Sequence, residues 1–464
     1  MKYVKPLILL IFFLSGVSGL VYEIVWTRLL SHVFGVSFFA VSTVLTVFMA
    51  GLGIGGYIFG RLIDNRGDPL KVYALLEILT GLYAISLPYL IKSSEWLYII
   101  IYSMIGGGFI FLSIERFILS FFILIFPTIM MGGTLPVISR FLIRSEDRVG
   151  IDSGIIYSLN TFGAVVGCAV TGFYLIESIG INNSLYSAAF LNFFAGAGAY
   201  IIARKSGDRG THPMDGSQET EFKTQDSRLK TPHPELSIPH SFVLIAFGFS
   251  GMAALSYEVL WTRLLILILD NTIYAFSIIL FTFLLGIAGG SFIFAKIQGE
   301  REGGLNREKI VTIFALFQIL IGLMGFISLL LFAHHNIISS WLNIFISWSL
   351  QSLGIGYWWK RLFATFLMAF LIMIIPTLFM GASFPAISTI YLSDVKKVGK
   401  GIGKIYLINT IGAIIGSFSA GFILLPLMGI QKSIIVTGAI PLILGIALIF
   451  LPPLHPPLTK GGRR

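Results

Sequence analysis

Ser15-Gly16 … Tyr22-Glu23-Ile24-Val25-Trp26-Thr27-Arg28-Leu29-Leu30 recurs 235 positions on as Ser250-Gly251 … Tyr257-Glu258-Val259-Leu260-Trp261-Thr262-Arg263-Leu264-Leu265. A second copy of so particular a stretch marks an internal duplication, and the rest of the chain follows it. Gly51, Gly55 and Arg61 match Gly286, Gly290 and Lys296. Glu77 and Gly81 match Gln318 and Gly322. Pro127-Thr128 … Met131-Gly132 … Pro136 returns as Pro376-Thr377 … Met380-Gly381 … Pro385. Tyr157 … Asn160-Thr161 … Gly163-Ala164 … Gly167 returns as Tyr406 … Asn409-Thr410 … Gly412-Ala413 … Gly416. The offset grows only between these blocks, as insertions in loops would make it.

The setting of the repeat is apolar. Of 464 residues, 56% are hydrophobic and 12% charged, and the mean hydropathy is +0.90. A soluble chain carries about 25% charged residues. A water-soluble globule of this composition would expose far too much apolar surface, so the chain reads as a multi-pass membrane protein. Its 50 glycines suit closely packed membrane helices. A single cysteine, Cys168, excludes an intramolecular disulfide. The net charge of +10 reads as the basic excess of cytoplasmic loops, with no metal-ligand spacing, no cofactor motif and no nucleic-acid patch.

A crossing needs about 20 mainly apolar residues. Twelve segments qualify: 7–30, 38–61, 72–90, 117–142, 153–176, 184–202, 241–268, 273–297, 310–332, 362–391, 402–425 and 432–450. Two more stretches, 96–114 and 335–357, are apolar but irregular. Charge decides their place. With twelve crossings and a cytoplasmic N-terminus, 25 Lys and Arg fall inside and five outside; with fourteen, the split is 13 and 17. The positive-inside rule selects twelve and places the two extra stretches on the outer side as interfacial or re-entrant helices. The expected fold is therefore an all-α membrane protein with N- and C-termini in the cytoplasm. Residues 1–202 and 241–450 form two six-helix repeats, and an even number of crossings makes them parallel. That is the major facilitator arrangement, with the halves related by an axis along the membrane normal. Residues 203–240, polar and Pro-rich, read as a cytoplasmic linker, and 451–464 as a disordered tail.

Glu23 and Glu258 are the most informative residues. Each lies well inside a span, where an ionisable group costs several kcal/mol and normally faces a cavity or a partner. Trp26 and Thr27 follow Glu23 at i+3 and i+4, and Tyr22 pairs with Trp26, as Tyr257 does with Trp261. A carboxylate beside aromatic rings suits an organic cation or a proton. The alternative is a structural clamp, in which Arg28 and Arg263 snorkel to the outer interface or pair with a Glu on another helix. Glu77 and Gln318 read as interfacial anchors or inter-helix hydrogen-bonding groups, with a site role second. Asn160 and Asn409 head stripes of small residues, which favour helix packing over ligand binding. Pro127 and Pro376 should kink their helices and are candidate hinges.

Gly60-Arg61-Leu62-Ile63-Asp64-Asn65-Arg66-Gly67 looks like the loop signature of the major facilitator superfamily, and the second half lacks it. More narrowly, Ser-Gly-x-x-Gly-Leu-Val-Tyr-Glu-x-x-Trp-Thr-Arg-Leu-Leu, Pro-Thr-x-x-Met-Gly-Gly-x-x-Pro and Asn-Thr-x-Gly-Ala-x-x-Gly resemble the membrane part of the bacterial fused MFS/spermidine synthase family. The resemblance covers essentially all twelve spans. It implies a bacterial inner-membrane protein, and a soluble aminopropyltransferase domain commonly follows the membrane part. Only fourteen residues follow Phe450 here, so that catalytic domain is expected to be absent. The chain alone should then not be an enzyme, and no catalytic residue carries over.

The expected function is transport or binding of a small, polyamine-like cation within the lipid bilayer, with Glu23 and Glu258 related by the axis between the halves. Two alternatives stand beside it. In one, the chain is the membrane module of a polyamine aminopropyltransferase whose catalytic domain is a separate chain. In the other, it is a scaffold that does not transport.

Overall fold

The computed structural model describes residues 4–34, 38–65, 67–105, 109–207, 240–269, 273–300, 306–349, 356–392 and 394–450. The linker expected at 203–240 lies outside these residues from 208 to 239, and so does the tail expected at 451–464. The described chain is helical. Helices α1 (Val4–Phe34), α2 (Phe38–Asn65), α3 (Pro69–Ile105), α4 (Phe109–Leu142), α5 (Val149–Val170) and α6 (Ile176–Gly207) form the first half. Helices α7 (His240–Leu269), α8 (Ile273–Gly299), α9 (Arg307–Ala333), α10 (His335–Ser349), α11 (Tyr357–Tyr391), α12 (Val398–Phe418) and α13 (Leu425–Phe450) form the second.

Among the described residues, ten stretches are long and apolar enough to cross a membrane. Two of them, Glu146–Lys205 and Val395–Phe450, run for 60 and 56 residues, far beyond the roughly 20 that one crossing uses. Each breaks at a glycine with positive φ, Gly180 (79°) and Gly429 (72°). Dividing each there into two crossings brings ten to the twelve read from the sequence. A π-helical turn precedes each break, at Thr171–Leu175 and Ser419–Leu424. The duplication thus extends to irregular backbone.

The two extra outer stretches behave differently. Helix α10 has 15 residues, about 22 Å, too short to cross, and exposes Trp341, Ile344 and Trp348. That fits an interfacial helix. The stretch 96–114 forms no helix of its own. Its first part continues α3 to Ile105 and its last part opens α4. The physical reason is that Trp96–Ile105 holds no glycine or proline to stop α3.

Both halves pack by one plan: α1 on α5, α2 on α4 and α3 on α6, repeated as α7 on α12, α8 on α11 and α9 on α13. The glycine stripes set the closest of these contacts. A Cβ at Gly163 would strike the Phe13 carbonyl, and one at Gly412 the Gly248 carbonyl. Asn160 donates from Nδ2 to the Phe12 carbonyl at 3.1 Å. These stripes are packing faces. Gly412→Val should therefore destabilise by about 3 kcal/mol or more through overpacking. Gly180→Ala, which meets nothing within 4 Å, should cost only the backbone penalty of its positive-φ, extended-ψ conformation, about 1–3 kcal/mol. Thermal unfolding in detergent should rank the two in that order.

Two seams join the halves, α2 against α12 and α5 against α8. In the first, Thr46 and Ser417 hydroxyls lie 3.1 Å apart and Gly56 and Gly60 meet Tyr406 and Gly399. In the second, Ser158 donates to the Ala288 carbonyl (2.9 Å) and Ser291 to the Gly154 carbonyl (3.1 Å). At the end of the bundle that carries Asp64, Arg140 and Lys400, one apolar cluster draws on both halves, through Ile63, Leu70, Val137, Phe384 and Ile402. Toward the other end the core divides into a first-half cluster and a second-half cluster, the latter joined by Leu45 and Phe173 of the first half, and a small cluster of Ile24, Cys168 and Leu280 lies between the halves.

Candidate functional site

The site grows from two faces of α1 and their copies on α7. Tyr22 and Trp26 sit at i and i+4, share one face, and stack with centroids 5.1 Å apart. Tyr257 and Trp261 stack at 4.6 Å. All four rings have no exposed surface and lie in the core of their own half. The Tyr22 hydroxyl donates to Asn192 Oδ1 at 2.7 Å, and Trp261 Nε1 donates to Ser328 Oγ at 3.2 Å. The rings are therefore not brought to the carboxylates as the walls of a cation box. Aromatic side chains bury the largest apolar area on α1 and α7, and each half claims them for its core.

Glu23 and Glu258, one residue further on and about 100° round the helix, face the seam. They are 6% and 8% exposed. The two carboxylates lie within electrostatic reach of each other and of the buried Cys168 thiol, and Glu23 also of Tyr406. Cys168 packs with Ile24 of α1 and Leu280 of α8 and donates to the Ser277 carbonyl at 3.4 Å. Helices α1, α5, α7, α8 and α12 thus converge here. Among the described residues, neither carboxylate forms an ion pair or accepts a hydrogen bond. A clamp from either Glu to Arg28 or Arg263 is accordingly not formed. Arg28 is half-buried and Arg263 exposed, and both have partners elsewhere.

The remaining candidates divide. Of its two readings, Glu77 takes the inter-helix hydrogen-bonding role and not that of an interfacial anchor. It is buried (1% exposed) inside the first half, where Ser15 Oγ and Asn192 Nδ2 each donate to its carboxylate at 2.5 Å. Gln318 is equally buried and reaches Ser383 Oγ at 3.4 Å. Asn160 and Asn409 belong to the packing stripes at Gly16 and Gly251. Helices α4 and α11 run on through Pro127 and Pro376. The carbonyl of Ile123, which Pro127 leaves without its helical donor, accepts from the Tyr83 hydroxyl at 2.9 Å.

The sequence reading did not select three residues that the structure brings forward: Cys168, Tyr406 and Asp64. Asp64, in the Gly60–Gly67 loop signature, accepts from the backbone N–H groups of Gly399 (3.0 Å) and Lys400 (2.6 Å) and pairs with Arg140 at 3.2 Å. Arg140 reaches on to the Val395 carbonyl. A carboxylate of the first half thus caps the first turn of α12 in the second, where free N–H groups and the helix dipole favour an anion. Asp64→Ala should cost about 1–2 kcal/mol of this capping, which is roughly a 5–30-fold rise in hydrogen exchange at Gly399 and Lys400. Unchanged exchange would mean that Asp64 does not hold the halves together.

No family model and no curated protein matches this sequence. The fold is similar to that of two crystal structures of a bacterial homologue of the iron transporter ferroportin, both in an outward-facing state, one with soaked iron. The TM-scores are 0.59 and 0.60, with 13% and 12% identity over 96% of this chain and 98% of the other. The chain is an all-α membrane protein with that major facilitator-like fold.

Proposed function

We propose that this protein carries a small cationic solute across the membrane, bound between its halves by Glu23 and Glu258. One observation carries the reading. Each half supplies its copy of the same buried Glu to the seam, and among the described residues no cation offsets either of them. Two buried negative charges without a counter-ion are costly in a bilayer; a visiting cation removes that cost.

The two-fold relation of the carboxylates favours a solute with positive charge at both ends, so a polyamine-like cation is the first choice. A bare divalent metal ion is the rival, because the structural neighbours are homologues of an iron transporter. Against the metal, no group of three or more His, Cys, Asp or Glu among the described residues could hold one. In this reading the Asp64 end faces the cytoplasm of a bacterial inner membrane, with both termini on that side. The shared apolar cluster and the Asp64 cap close the inner face, and the halves rock about their common axis to open it.

The test is uptake into proteoliposomes of radiolabelled spermidine and, separately, of ferrous iron. Saturable spermidine uptake absent from empty vesicles is the expected result. Iron uptake alone would change the solute class. Uptake of neither would overturn the transport reading.

A further inference from the structure

Inside the first half, away from the seam, Glu77 sits in a second polar cluster. Ser15 of α1 and Asn192 of α6 donate to its carboxylate at 2.5 Å. Tyr22 of α1 completes the chain by donating to Asn192 at 2.7 Å, and the buried hydroxyl of Tyr73, one turn away on α3, lies beside it. The pieces are held by close helix contact. Gly196 of α6 abuts Glu77 and Ala74, and Gly81 of α3 meets Phe193 and the Ala189 carbonyl. Helix α3 packs against α1, α4 and α6. Among the described residues, the groups that act on Glu77 are Ser15 and Tyr22 of α1, Asn192 of α6 and Tyr73 of α3 itself, and no charged group is among them.

The fold does not need a carboxylate at this place. The duplicate cluster has Gln318 for Glu77 and Pro441 for Asn192, and it stays buried although the Tyr257 hydroxyl and Gln318 Oε1 have no hydrogen-bond partner. A neutral amide therefore suffices for packing, and Glu77 brings a group that can change charge. A buried carboxylate with neutral donors and no cation has two tolerable forms: ionised, held by its donors, or neutral, with a proton on one oxygen.

We infer that Glu77 is a proton-binding site of the first half, taking a proton from hydronium as a new O–H bond forms on its carboxylate and returning it to water. The consequence reaches the seam through α1. Ser15 and Tyr22 tie one face of α1 to Glu77, and Glu23, adjacent to Tyr22, occupies the other. The charge on Glu77 then sets how firmly α1 is seated, and it does so in one half only.

Infrared titration of the purified full chain in detergent tests this. A protonated-carboxyl band that disappears as the pH rises is expected in the wild type and in E23Q/E258Q, and should be missing in E77Q. Ser15→Ala, which removes a donor to the ionised form, should shift the loss of the band to higher pH; a purely structural Glu77 would show no such shift. If E77Q fails to fold, the Ser15→Ala shift still decides. No Glu77-dependent band, or one displaced by sodium or calcium at constant pH, overturns the inference. The test does not depend on the transport reading, because E23Q/E258Q can lose all solute flux and keep the band.

Discussion

Glu23→Gln/Glu258→Gln should lower uptake of the transported cation by about 100-fold or more. Truncating one partner of a buried charge pair costs about 2–5 kcal/mol, and 1.4 kcal/mol is a factor of ten. Each single variant should lose about 30-fold or more by the same arithmetic, since 2 kcal/mol is the low end of that range. The double variant should fold. Gln keeps the shape of Glu, and removing two mutually repelling charges from a seam where neither is paired costs no contact that the structure contains. Its thermal midpoint is expected to rise or stay level. A scaffold held by Glu–Arg clamps would give the reverse: a lower midpoint and no flux to lose.

The second large effect concerns the seam. In a Cys168→Ser background, Thr46→Cys/Ser417→Cys should cross-link on mild oxidation and stop uptake, and reductant should restore it. The native hydroxyls are 3.1 Å apart and both side chains are buried, so sulfurs in their place meet across the seam. The pair lies on the α2–α12 seam, far from the Asp64 cap on the same two helices. Carrying a solute past Glu23 requires the halves to part on that side. If uptake continues at full rate with the cross-link formed, the halves do not move apart there, and the rocking mechanism fails.

Much of this was legible in the sequence, because the bilayer restricts the choices so severely. The duplicated Tyr-Glu…Trp-Thr-Arg block, the glycine stripes and the Lys and Arg count lead to the helix plan that the structure shows. The helix period also isolates Glu23 and Glu258. It could not tell which way the neighbouring rings turn. Tyr22 and Trp26 are compatible with a solute-facing box or with a core, and only the packing of α1 on α3 and α6 assigns them to the core. Glu77 was open between an interfacial anchor and an inter-helix hydrogen-bonding group because its distance from a helix end is readable and its partners are not: Ser15 and Asn192 are 62 and 115 residues away. Asp64 stood in a recognisable loop, yet its role depends on the first turn of α12, 335 residues on. Cys168 gave no signal; its counterpart in the repeat is Ser417, and only the meeting of α1, α5 and α8 sets it beside the carboxylates.

The proposed transport requires that two carboxylates from different halves make a single cation site. Equilibrium binding of labelled spermidine to the purified chain tests it most directly. One molecule per chain is predicted, with affinity reduced to a similar extent in Glu23→Gln and in Glu258→Gln and binding lost in the double variant. Undiminished binding in the double variant, or two bound molecules each removed by one substitution, would contradict it.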